Sequence, residues 1–214
     1  MDSQSSKPKG QSPTAEVVES STRHVVAEVR RGSAPPPFGC WVEIEREDGA
    51  RLYGLVAHAE TGAVEPGRRA VALGRDREEI RREMPHVFEL VRTTFRAVLL
   101  AHWDGKSRDR DGHPVVRQTL PPLPADLHDP VVACGDEVVA RLSAPYDFLR
   151  TLARNPDPAV PADDLLAAVI RGLYRSHGQG AEGERAMLAA GRALSRLLND
   201  DHERLHSILR RAVA

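Results

Sequence analysis

The apolar pattern changes period partway along the chain, and the change falls at Asn155-Pro156-Asp157-Pro158. Before that point apolar residues alternate with polar ones or run in short β-branched stretches, the signature of strands. Beyond it they recur at helical spacing. Leu165, Leu166, Val169, Ile170 and Leu173 form one stripe, Met187, Ala190, Leu194, Leu197 and Leu198 a second, and Leu205, Ile208, Leu209 and Ala212 a third. Asp163 and Asp164 sit where a helix N-terminus favours negative charge, and Asn199-Asp200-Asp201 both stops the second helix and caps the third. Prolines this closely spaced interrupt either kind of element, so strands first and helices after predict an α+β chain rather than alternating βαβ units.

Within the first part, His24 to Val29 reads as a strand that ends in Arg31-Gly32-Ser33-Ala34-Pro35-Pro36-Pro37. Cys40 to Glu45 alternates apolar and polar, Glu47-Asp48-Gly49 signals a hairpin, and Arg51 to Val56 runs back. Gly54 in the returning strand predicts a bend or bulge, the device by which a small barrel turns a corner. Asp76 to Met84 reads as a short charged helix halted by Pro85, and Val87–Arg92 and Thr94–His102 as two further strands. The second, apolar without a break from Ala97 to Ala101, is the one expected to be most buried. Asp104 to Pro114 reads as an exposed hairpin loop, Leu120-Pro121-Pro122-Leu123-Pro124 as an extended crossing segment, and Pro130 to Cys134 as a last strand. Glu137 to Arg150 predicts a short helix redirected at Pro145.

The resulting division is a disordered arm over residues 1–20, whose Ser, Pro and Gln cannot repay their ordering entropy; a β-domain over 22–142; a connecting segment over 143–158; and a helical domain of about three helices over 159–214. The β-domain is expected to be a small closed or partly open antiparallel barrel. Hydrophobic residues make up 41% of the 214, enough for a core, but only 4% are aromatic, which argues against a broad base-stacking platform. Thirty Lys and Arg against 31 Asp and Glu leave no global electrostatic footprint for nucleic acid. Cys40 and Cys134 lack metal-ligand spacing and are read as reduced structural thiols. Apolar runs fall short of the roughly 20 residues that span a bilayer, and the polar N-terminus lacks a signal-peptide core, which places the chain in the cytoplasm without membrane partners.

Three motifs invite catalytic readings. Gly105-Lys106-Ser107 matches the end of a phosphate-binding loop, but Leu100 stands where the earlier glycine belongs and a turn-forming Arg108-Asp109-Arg110-Asp111-Gly112 follows instead of a helix. His202-Glu203-Arg204-Leu205-His206 fits the zinc-protease pattern, with no third ligand downstream. Asp104, Asp109 and Asp111 hint at a calcium loop that lacks its terminal glutamate. No complete catalytic motif results, so catalytic, metal and cofactor-binding residues are all expected to be none.

Gly39-Cys40-Trp41-Val42-Glu43-Ile44 followed by Glu47-Asp48-Gly49-Ala50-Arg51-Leu52-Tyr53-Gly54-Leu55-Val56 resembles the opening hairpin of a HAS-barrel, the small barrel shared by HerA-type DNA-translocating ATPases and rotary ATP synthase subunits. Phe95-Arg96-Ala97-Val98-Leu99-Leu100 resembles that family's later apolar strand, and Leu120-Pro121-Pro122-Leu123-Pro124 with Val131-Val132 its proline-rich closing segment. The likeness covers residues 22–142. It departs at Ala101, where a glycine is usual, and after Pro124, where another is missing; the motor domain that normally follows is replaced by about 60 helical residues without ATPase motifs.

The resemblance implies a non-enzymatic module for protein interaction or assembly. Its expected partners are a HerA/NurA-like motor or nuclease in DNA end-processing, or a second copy bound through exposed barrel edges or the helical tail. Two alternatives stand beside it. One is direct nucleic-acid binding, if the Arg-rich segments 68–82 and 108–117 converge on one face; the other is a zinc-dependent hydrolase using His202, Glu203 and His206.

Overall fold

The computed structural model describes residues 13–65 and 71–213. Six antiparallel strands close into a barrel: β1 (Ala15–Ser20), β2 (His24–Val29), β3 (Trp41–Glu45), β4 (Arg51–Ala63), β5 (Val91–Trp103) and β6 (Pro130–Ala133), in the spatial order β1-β2-β5-β4-β3-β6. The ring closes where Ala15 pairs with Val131 and Glu16 with Pro130. Every strand therefore has a neighbour on both sides. Self-association through exposed barrel edges, expected from the sequence, is confined by the closed ring to the projecting end of β4, where residues 58–63 pair with β5 alone.

Strand β1 also corrects the arm. Residues 1–12 lie outside the described residues, but Ala15-Glu16-Val17 alternates, and its apolar members are fully buried in the barrel interior. Their burial against β2 and β6 supplies what composition alone does not predict. The interior is filled by small and branched residues, among them Val25, Val42, Ile44, Val56, Phe95 and Leu99. Gly54 sits at a register shift opposite β5, as the sequence predicts, and a Cβ there would stand 2.8 Å from the Val98 carbonyl oxygen.

Two short helices, α1 (Arg77–Glu83) and α2 (His86–Glu89), precede β5. The strand expected over Val87–Arg92 is thus mostly a helical turn. Pro85 has helical backbone angles, φ −58° and ψ −29°, and its carbonyl accepts from the Phe88 amide at 3.1 Å. A proline whose fixed φ already suits a helix outweighs the β-branched residue that follows.

Beyond the barrel come α3 (Asp136–Ser143), α4 (Phe148–Ala153), α5 (Ala162–Ser176), α6 (Gly180–Leu197) and α7 (His202–Val213). All three predicted stripes face inward: Leu165, Leu166, Ile170 and Leu173 of α5, Ala190 and Leu194 of α6, and Leu205, Ile208 and Ala212 of α7 are buried. They pack in one continuous core with the barrel's outer residues Trp41, Tyr53, Leu55, Leu100 and Trp103. The segment 143–158, expected to be a connector, is part of this core. Phe148, Leu149 and Leu152 of α4 are fully buried, and the Phe148 ring meets Trp41 edge to face at 5.2 Å.

Polar pins hold the helices in place. The Gln118 side-chain amide donates to the carbonyls of Leu142 at 2.7 Å and Ala144 at 2.9 Å, while its oxygen accepts from the Phe148 amide at 3.0 Å. Arg204 joins α7 to α5 through Asp163 at 2.7 Å and also reaches the Ala153 carbonyl. Asp201 caps α7 by accepting from the Arg204 amide at 3.1 Å. At Gly39, φ is +76° and a Cβ would meet the Ala168 Cβ at 2.5 Å, so glycine lets the approach to β3 lie directly on α5.

Because Phe148 bridges barrel and helices, Phe148→Ala is expected to cost about 3–5 kcal/mol. Chemical denaturation followed by both tryptophan fluorescence and far-UV circular dichroism is expected to keep a single coincident transition. Separate transitions for the two signals would show that barrel and helices are independent units.

Candidate functional site

The end of the barrel where the β3–β4 hairpin turns gathers three loops. Gly105 packs on the hairpin tip: its φ is +77°, and a Cβ would come within 2.9 Å of the Gly49 carbonyl. Asp104 organises the turn by accepting from the amides of Lys106 at 2.9 Å and Ser107 at 2.7 Å, from the Ser107 hydroxyl, and from Arg117 at 3.1 Å. These donors, led by Ser107, hold the Asp104 carboxyl well below the usual carboxylate range. Both amides that a phosphate would need from Lys106 and Ser107 are therefore already bonded to Asp104. Gly105-Lys106-Ser107 is a rim turn.

Opposite this turn lies the proline-rich crossing segment, anchored at intervals. Pro121, Ala125 and Asp129 are buried, with Ala125 packed among the barrel-interior residues. Arg46, just past β3, donates to the Pro124 carbonyl and lies 3.8 Å from Asp126. The His128 amide bonds the Val17 carbonyl at 2.8 Å, and the Val17 amide bonds the Asp129 carbonyl at 3.0 Å. Leu120 just before the first anchor, and Leu123 and Leu127 between anchors, are held outward, 43%, 57% and 62% exposed. The hydrogen bonds fix the backbone of this segment while the three side chains meet solvent.

A cleft of about 750 Å³ opens where β3 and β6 meet α5. It is lined by Phe38, Cys40, Trp41, Cys134, Arg171 and Arg175, among others. The two thiols the sequence left structural thus share one wall. Burial raises the Cys40 thiol, with Arg175 pulling the other way, and burial together with Glu43 and Cys40 lifts Cys134 well above its ordinary value. Neither is a primed nucleophile. Nearby Glu43 is also raised by burial, offset by Arg51 at 3.4 Å, but it does not line the cleft.

The α7 histidines point away from the fold. His202, Glu203 and His206 are exposed, and among the described residues no group of three His, Cys, Asp or Glu is arranged to hold a metal. The Arg-rich segments also stay apart. Residues 66–70 lie outside the described residues; the rest of the first segment precedes β5 and the second follows it, so a 13-residue strand of about 44 Å separates them. Their arginines are also largely engaged locally: Arg75 with Glu83 at 2.7 Å, Arg81 over Phe88, Arg108 over Trp103, and Arg117 with Asp104.

Other arginines do converge. Arg23 from the β1–β2 turn, Arg96 from β5, and Arg150 and Arg154 at α4 line a second cleft of about 570 Å³. Lying far apart in sequence, they form no run that composition or spacing reveals. No helix among the described residues is long and apolar enough to cross a membrane. No protein-family model and no curated protein matches the chain.

Two outcomes follow from this geometry. Native-state alkylation by iodoacetamide at neutral pH, read by mass spectrometry, is expected to be slower at both cysteines than in denaturant, and slowest at Cys134. Equal native and denatured rates would remove the burial argument. Asp104→Asn is expected to lower the thermal midpoint at neutral pH. A depressed folded-state pKa contributes stability above the unfolded value of about 3.9, which is lost as pH falls through the folded one. The gap between the two proteins should therefore narrow below that value in melts run across acid pH.

Proposed function

We propose that this chain is a non-enzymatic barrel module for protein interaction, accessory to a HerA/NurA-like DNA end-processing system. The observation that carries the reading is the anchored strap at the barrel rim, with Leu120, Leu123 and Leu127 held in solvent. Ordering a segment before contact lowers the entropic cost of binding, and a few residues supply most of an interface's energy. The closed barrel supports the same reading, since the ring pairs most strand edges and leaves the rim loops to meet a partner. The HAS-barrel resemblance supplies the partner class, because in that family the barrel assembles and docks rather than catalyses. This last step is analogy of fold.

The test is binding to the HerA-like motor and the NurA-like nuclease encoded by the same genome, by co-purification and calorimetry. Leu123→Asp with Leu127→Asp is expected to weaken the complex by at least about tenfold. These side chains are exposed, so the thermal midpoint should hardly move. Failure of the unaltered protein to bind either candidate would remove the assignment.

A further inference from the structure

We propose that the cleft between the barrel and α4, continued along α6, binds single-stranded nucleic acid through its phosphates. The cleft shares Leu120 with the leucine strap but is lined by neither Leu123 nor Leu127, so different substitutions test the two proposals.

The cleft has an apolar floor of Val98, Leu120 and Val160 and a wall of Arg23, Arg96, Arg150 and Arg154. Arg150 also lines an adjoining cavity of about 400 Å³, where Arg192 and Arg196 of α6 stand beside Tyr146. One track thus carries six arginines against two aspartates, Asp147 and Asp157, in a chain of formal net charge −1. Only Arg96 has a carboxylate partner, Asp157 at 3.3 Å. Arg23, Arg150, Arg154, Arg192 and Arg196 are all exposed, and no carboxylate lies within ion-pair distance of them among the described residues. This contrasts with α5–α7, where Arg204 and Arg211 are matched to Asp163 and Asp164.

Unmatched like charges brought together from the β1–β2 turn, α4 and α6 repel one another and stabilise nothing within the fold. A ligand with regularly spaced negative charge relieves that repulsion. Arg192 and Arg196 lie one turn apart, about 6 Å along α6, so the track extends beyond a single cavity and fits a chain of phosphates better than one phosphate. Beyond Arg96 it ends, because the neighbouring cavity on that side brings in Glu19 and Glu60.

The shape selects a single strand. A duplex is read by a protruding helix or ribbon entering its groove, whereas here the charged surface is concave with an apolar floor. An unstacked base can rest on aliphatic side chains and guanidinium planes while its phosphates meet the arginines. Few aromatic residues are needed for that.

The experiment is fluorescence anisotropy of a labelled oligo-dT of about 20 nucleotides, against a duplex of equal length and a mononucleotide competitor. Binding is expected to be tightest for the single strand and to weaken steeply between about 50 and 200 mM salt. Arg150→Glu with Arg154→Glu should weaken it by about tenfold or more and reduce the slope of log affinity against log salt by about 1.4. Arg192→Glu with Arg196→Glu on exposed positions of α6 gives an independent pair should the first misfold, as checked by circular dichroism. Arg77→Glu with Arg81→Glu, off the track on α1, should leave affinity unchanged. No binding at low salt, equal loss with the α1 pair, or indifference to both track pairs would overturn the proposal. Equal or tighter duplex binding would overturn the choice of a single strand, and full competition by the mononucleotide would replace the strand by a small phosphate ligand.

Discussion

Strand β5 meets water on neither face over its second half, and this two-sided burial dictates the rest of the molecule. From Ala97 to Trp103 every residue is buried. Phe95, Ala97 and Leu99 fill the barrel, while Val98, Leu100, Ala101 and Trp103 belong to the core shared with the helices. A six-stranded barrel alone would leave those outer residues in solvent, along with Trp41, Tyr53 and Leu55 from its neighbours. Each large apolar side chain left exposed forfeits about 1.5–3 kcal/mol, so the helical segment is a required roof. The helices in turn lean on the barrel, because the buried residues of α5, α6 and α7 share one core with Trp41, Tyr53, Leu55 and Trp103.

Fitting a roof to a curved sheet creates the seams in which the chain's polar features collect. Gly39 lets the entry to β3 lie on α5, and the cleft containing both cysteines opens beside it. Gln118 ties α3 to α4 with three hydrogen bonds from one side chain, which fixes α4 beside Val98 of β5 and so defines the arginine-lined cleft. The barrel's two-sided core and its candidate ligand surface are therefore consequences of one packing arrangement.

The sequence made the architecture legible wherever period and burial coincide. Five of the six strands lie at or near their expected positions, the helical stripes are those predicted, and Gly54 marks a real register shift. It misled where local composition and tertiary pairing disagree. Ala15–Ser20 looked like the end of a polar arm, yet pairing with β2 and β6 closes the barrel there. Phe148, Leu149 and Leu152 lay in what read as a linker because a one-and-a-half-turn helix is too short to display a period. The arginine track was invisible for another reason: Arg23, Arg96, Arg150 and Arg196 have no sequence relation, and only the roofed barrel brings them together.

Net charge is a sum over the chain, whereas a ligand samples a local field. Thirty basic residues against 31 acidic ones argue against a polyanion partner only if the two signs are evenly mixed. Where α7 meets α5 they are mixed, with Arg204 on Asp163 and Arg211 on Asp164, and the rim is likewise balanced by Asp104 and Arg117. Pairing there uses up acidic partners that could otherwise have neutralised the seam beneath α4. Charges at 4 Å interact several-fold more strongly near a low-dielectric wall than in bulk water, so an unpaired arginine at the mouth of an apolar cleft carries more weight than its share of the total. Near-neutrality of the whole chain is thus compatible with one strongly basic seam, set where the helical roof meets the closed ring of strands.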